Sequence, residues 1–237
     1  MTSPTALELL QIRLEGADGI HVACAEEGQA LCLGADVPEP FARELRTIFA
    51  NACASVDPTH PPVALARDDD GIVIRGGPSY LIEEGARFVT DVHIVRSDRS
   101  RGERLRGANP GNWHTVEWTE LLDGALGPWT IATIDDRVAS ICHTPHAMTA
   151  RAAECGVWTH PDFRGCGYAA AVTSAWAELV RPSGRWLFYS TDAANLSSRR
   201  VAERLGLRTL GWTWHLDRAR PDDNIHPLSR LRSPKLD

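Results

Sequence analysis

Lysine is almost missing from this chain. Lys235 is the only one, so the 25 basic side chains are otherwise arginine, which reads as a habit of genome composition rather than a site. A positive excess is missing too, since 31 acidic residues give a formal charge of -6 with the signs mixed. That argues against a nucleic-acid surface, which needs a basic face, while an acidic protein attracts cationic substrates. No stretch is long and apolar enough to span a bilayer, and Met1 to Glu15 has neither a basic leader region nor an apolar one. A soluble, cytoplasmic protein with no membrane partner is therefore expected. Paired cysteine motifs are absent as well. Cys24, Cys32, Cys53, Cys142, Cys155 and Cys166 show no C-x-x-C spacing, as suits reduced and mostly buried thiols. Cys142, His143 and His146 have no second ligand doublet nearby, so no metal site is assigned.

What is present suffices for a buried core: 237 residues, 43% of them hydrophobic, make one large domain or two small ones. Leucines at 7, 9, 10 and 14 predict a short helix over Ala6 to Leu14. His21 to Cys24 and Ala30 to Leu33 predict a strand pair around Glu26-Glu27-Gly28, and Phe41 to Ala54 a second helix. Strands are expected at 63–66, 72–75, 79–82 and 88–95, broken by the solvated turn Asp68 to Gly71 and by Gly76-Gly77-Pro78. Ser97 to Asn112 lacks an apolar period and predicts a linker or mobile loop, followed by a helix over Val116 to Leu122. These features divide the chain into an α/β region over 1–106 and a second domain over 107–237. The second part predicts strands at 129–134, 137–142 and 152–159, a helix at 165–180, a strand at 186–190, a helix at 196–205 and a strand at 209–216.

The stretch Glu154 to Ala170, ECGVWTHPDFRGCGYAA, organises the rest. A strand that stops at a proline turn and hands over to a Gly-rich helix start leaves backbone N–H groups unpaired and aimed one way. The helix dipole adds positive character there, and small residues let a phosphate approach. Gly165 and Gly167 supply that closeness and Arg164 a permanent cation. The same residues satisfy G-x-G-x-x-A with Asp192 after the next strand, which suits a nicotinamide dinucleotide site. Two features oppose that alternative: residues 160–164 separate strand from turn, and too little chain follows Asp192 for a doubly wound sheet.

Arg164-Gly165-Cys166-Gly167-Tyr168-Ala169 is an R-x-x-G-x-A pattern led by Thr159-His160-Pro161, and here the chain resembles the GNAT superfamily of acyl-CoA-dependent acyltransferases. A second motif, Asn195 to Leu207, resembles the N-x-x-S-x-x-V-x-E-x-L-G-F helix of that family, with Asn195, Ser198 and Ala202 on one face. The resemblance implies a mixed, mostly antiparallel α/β sheet flanked by helices. It also implies acetyl-CoA as donor, its pyrophosphate on the loop 164–169 and its pantetheine arm along Val157, Trp158 and Thr159, with Asn195 and Ser198 beside it. GVWTHPDFRGCGYAAAVTSAW and YSTDAANLSS look closest to a subgroup that includes antibiotic-inactivating members of the zwittermicin-resistance type.

By the same resemblance Glu154 is the expected proton acceptor, in a setting of Ala152, Ala153 and Cys155 that would suit a raised pKa. The bland alternative is a strand-end carboxylate paired with an arginine such as Arg151. Where many relatives carry a tyrosine this chain has Ala202, so Ser198, Tyr189 or water is left to protonate the thiolate. His143 and Tyr189 are expected at the acceptor. The implied function is transfer of an acetyl group to a primary amine of a small molecule by direct attack in a ternary complex. A silent acyl-CoA-binding module and a nicotinamide-dependent enzyme stay open as alternatives, as does a homodimer.

Overall fold

The computed structural model describes residues 3–52, 57, 59–60, 62, 65, 72–99, 102–145 and 149–218. Among the described residues, five helices, α1 (Ala6–Arg13), α2 (Glu39–Ala52), α3 (Thr115–Leu122), α4 (Tyr168–Val180) and α5 (Leu196–Arg204), flank nine strands. These are β1 (Ile20–Ala25), β2 (Gly28–Leu33), β3 (Ile72–Leu81), β4 (His93–Arg96), β5 (Trp129–Ile134), β6 (Arg137–His143), β7 (Ala152–Thr159), β8 (Trp186–Ser190) and β9 (Arg208–Arg218). All nine lie in one sheet, in the order β2-β1-β9-β3-β8-β7-β6-β5-β4. Strands from both sides of residue 106 therefore alternate across it.

Local chemistry fixes several ends. The Thr5 hydroxyl accepts the Glu8 N–H and the Glu8 carboxylate accepts the Thr5 N–H, which closes a capping box on α1. Asp135 and Asp136, at φ 45° and 62°, make the two-residue turn that joins β5 to β6 with the twist a hairpin needs.

Strand alternation sends side chains to two faces. On one, α2 covers β1, β2, β3 and β9 through Leu45, Val22 and Trp214, while α4 and α5 cover the middle through Val172, Trp176, Ala153 and Ala202. On the other lie two separate apolar clusters. Leu9, Leu10 and Ile12 of α1 pack with Ala152, Phe188 and Leu210; Trp118 and Leu121 of α3 pack with Trp129, Ile131 and Ile141. The gap between those two clusters falls over β7.

β7–β8 is the only parallel pairing among the described residues, and the other pairings are antiparallel. That is not the parallel sheet of a dinucleotide fold, and the nicotinamide alternative ends there.

Three expectations are corrected. Gly76-Gly77-Pro78 does not break a strand, because β3 runs through it, lying along β9 with one register shift at Ser79/Tyr80. Glycine is required because a Cβ on Gly76 would lie 2.3 Å from the Thr213 carbonyl oxygen and one on Gly77 2.1 Å from that of Thr191. Of the strand expected over 88–95, only the end belongs to β4; the Phe88 ring packs over Gly167 instead. Within 97–112, Leu105 is buried and its carbonyl accepts the Trp118 indole N–H at 3.0 Å, so this part of the expected linker is packed. The strand at 63–66 and the turn at 68–71 lie essentially outside the described residues, although Leu65 is buried against α2.

Candidate functional site

The sheet parts at β7. Residues 152–155 pair with β8, ending at Cys155 opposite Tyr189, whereas 156–159 pair only with β6 on the other side. The cause lies in β8: past Ser190 the chain turns onto β3, with the Thr191 N–H on the Pro78 carbonyl and the Ala193 N–H on the Gly76 carbonyl. With β8 drawn away, one backbone edge of Gly156 to Thr159 has no strand partner among the described residues. The β6–β7 register runs without a shift, so Gly156 marks a close approach rather than a bulge: Pro145 lies against it.

β7 leads directly into the expected loop. Pro161 to Phe163 make a short 3-10 turn in which the His160 ring accepts the Asp162 N–H at 3.2 Å. Arg137 pairs with Asp162 at 2.7 Å and holds that carboxyl below its usual range, while its guanidinium lies over the Phe163 ring. Gly165 and Gly167 take left-handed φ values of 84° and 86°, and Gly167 starts α4 with no side-chain cap. The first N–H groups of this 13-residue helix therefore face outward beside exposed Arg164 and Cys166, with Tyr168 and Ala169 opening its first turn. Arg204 of α5 reaches the same loop, 3.5 Å from the Gly165 carbonyl oxygen. An uncapped helix start, two left-handed glycines and an open strand edge fit a diphosphate followed by an amide-bearing arm. The Thr159 hydroxyl is bonded to Ser140 at 2.8 Å, which leaves its backbone groups on the open edge.

Glu154 sits two residues before Gly156, at the vertex where β7 and β8 part. Its setting corrects the sequence reading. Ala153 and Cys155 point to the α4 face, whereas Glu154 points with Ala152 to the α1 face. There it meets Arg13 of α1, whose Nε and Nη2 donate to Oε1 at 3.0 and 2.7 Å, and the Ser190 hydroxyl, which donates to the same oxygen. The arginine partner is thus Arg13; Arg151 pairs with Glu15 at 2.6 Å. Arg13 also donates to Ser190 at 2.6 Å and Thr213 at 3.2 Å, and Thr213 bonds Ser79 at 3.0 Å. Arg13, Ser190, Thr213 and Ser79 were missed from the sequence. One signal was available: Arg13 falls three and four residues after Leu10 and Leu9, on the stripe α1 buries.

His143 lies opposite Gly156 on the Glu154 face, buried with its ring 5.1 Å from that of Trp113. Alternation turns Tyr189 to the α4 face, away from Glu154, where it is 2% exposed and its hydroxyl donates to the Ser198 carbonyl at 3.3 Å. Burial pushes its phenol far above the ordinary value. Asn195 caps α5 by accepting the Ser198 N–H at 3.1 Å, and Ala202 is packed into the core. His146 lies outside the described residues.

Comparison with known proteins follows this geometry. A family model for an acetyltransferase (GNAT) domain matches residues 86–208, just over half of the chain. No curated protein matches it. Among solved structures, a GCN5-related N-acetyltransferase from Kribbella flavida is 17% identical with a TM-score of 0.49, covering 93% of this chain and 96% of that one. A GNAT-family acetyltransferase from Colwellia psychrerythraea is 12% identical with a TM-score of 0.47, covering 84% and 81%. A GNAT-family protein from Novosphingobium aromaticivorans is 21% identical with a TM-score of 0.46, covering 78% and 82%.

Proposed function

The chain belongs to the GNAT family of acyl-CoA-dependent acetyltransferases, and on that premise we propose that it acetylates a primary amine of a small molecule by direct attack in a ternary complex. The observation that carries this reading is the vertex. One strand presents an open backbone edge toward the loop at α4 and, two residues earlier, a carboxylate on the face where the two apolar clusters leave a gap.

The amides of Gly167, Tyr168 and Ala169 hold the pyrophosphate with Arg164, and the 157–159 edge holds the arm that brings the thioester to the vertex. Bound there, acetyl-CoA supplies the acetyl group. Glu154 attracts a cationic amine from the α1 face and accepts its proton directly or through one water, so that the nitrogen can form the new C–N bond as the C–S bond breaks. Ser198 or a water supplies the proton that the departing sulfur needs. His143 and Trp113 contribute a wall of the acceptor gap, and the N-terminal part shapes the opposite wall through α1.

A silent acyl-CoA-binding module is favoured by Ala202, which occupies the usual tyrosine position and is buried in the core. Two measurements decide. A thermal-shift screen is expected to show stabilisation by CoA and acetyl-CoA and none by NAD; a response to NAD alone sinks the proposal. Thiol release from acetyl-CoA against a panel of primary amines then separates enzyme from binding module. In that assay Glu154→Gln is expected to keep CoA affinity and lose about 100-fold in turnover; unchanged turnover across pH removes Glu154 from the mechanism.

A further inference from the structure

Glu154 is held from the far end of the sequence. Arg13, 141 residues earlier, converges on it with two donors, and the same guanidinium spans Ser190 on β8 and Thr213 on β9. We infer that Arg13 is the positioning residue of the reaction: it fixes the carboxylate that takes the ammonium proton, so that the first helix sets the geometry of acetyl transfer. The inference rests on the role proposed for Glu154.

Three features favour positioning over a simple brace. First, the contacts with Arg13 and Ser190 gather on one oxygen, Oε1, which anchors that end of the carboxylate with charge-assisted bonds. Second, the pair is shielded, with 13% and 21% of the two side chains exposed, so that solvent weakens it little. Third, it stands where the sheet divides. Cys155 and Tyr189 are the last partners in the β7–β8 ladder, so beyond that rung no pairing with β8 restrains Glu154's strand. A planar fork can reach three strands at once, whereas the single ammonium of a lysine cannot. The charges that bear on this cluster are His21 on β1, with His215 and Asp217 on β9 beside it.

The test compares wild type, Arg13→Gln, Arg13→Lys, Glu154→Gln and the Arg13→Gln/Glu154→Gln double variant, with the intact chain throughout. Thiol release from acetyl-CoA is followed with ethanolamine, benzylamine and spermidine as probes, and CoA affinity by calorimetry reports folding. Arg13→Gln is expected to lower kcat about 10- to 100-fold at unchanged CoA affinity and to alter the pH–rate profile, with partial rescue in Arg13→Lys. The double variant is expected to be no slower than Glu154→Gln, because Arg13 acts only through that carboxylate. Multiplying losses, or an Arg13→Gln enzyme with wild-type kcat and pH profile, overturns the inference. Full turnover in Glu154→Gln overturns the proton-acceptor role instead, and that failure is visible without any Arg13 variant. If none of the three amines is acetylated, melting temperatures of wild type, Arg13→Gln, Glu154→Gln and the double variant form the cycle: coupled losses support the clamp and additive losses overturn it.

Discussion

His21 shows how far one side chain's surroundings govern its titration. Burial lowers its pKa to about 4 from 6.5; the charges of His215 and Arg13 push the same way, while the Asp18 carbonyl and Asp217 act against it. His21 Nε2 donates to the Asp18 carbonyl at 2.8 Å, its Nδ1 lies 3.2 Å from His215 Nδ1, and His215 Nε2 lies 2.8 Å from an Asp217 carboxylate oxygen. Because the folded value lies below the unfolded one, stability from neutral His21 is complete above about pH 6.5 and is lost as pH falls from there toward 4. Calorimetric melts are expected to show a loss of about 2 kcal/mol between pH 7 and pH 5, with a flatter dependence in His21→Asn. Such pairings were illegible in the sequence, as was the Arg13 clamp, because both join residues more than a hundred positions apart. Glu154 itself can be singled out from the sequence as a candidate. What misled was counting its chain neighbours as its surroundings, when strand alternation sends Ala153 and Cys155 to the opposite face.

Among elements, the passage from β7 into α4 was the most legible, because its strand, proline turn and glycines act locally. From 129 onward the expected strands fall within a residue or two of those observed. α4 begins at Tyr168 rather than 165 because Gly165 and Gly167 are left-handed and hold the helix back. Gly167 also tolerates no side chain, since a Cβ there would meet the Phe88 ring at 2.9 Å. Gly167→Ala therefore combines unfavourable φ with a clash, and CoA binding by calorimetry is expected to weaken about tenfold while the core stays folded. β3 was less legible. Gly-Gly-Pro signals a break by local rules, yet here the two glycines exist to let the β9 strand and the 191–193 segment come close. Phe88 was read as strand because its role, covering the loop at 167, is set by a residue 79 places on.

In the whole molecule, sequence order and spatial order disagree. β3 lies between β9 and β8, and β1 lies against β9. A chain restricted to 107–237 would keep the loop proposed to hold the cofactor but lose the strand that joins β8 to β9, along with Arg13. That fragment is expected to show no cooperative melt and no CoA-induced shift, as read by circular dichroism; a sharp transition would mean that the interleaved strands matter less than the topology indicates. During synthesis the interleaving imposes a wait. The hairpin of β1 and β2, with β3 soon after, leaves the ribosome long before residues 186–218 exist to receive it. At about 5–20 residues per second the delay is on the order of ten seconds. Through that interval the nascent chain carries exposed strand edges, and its most probable mishap is sticking to a neighbour rather than misassembling its own active site.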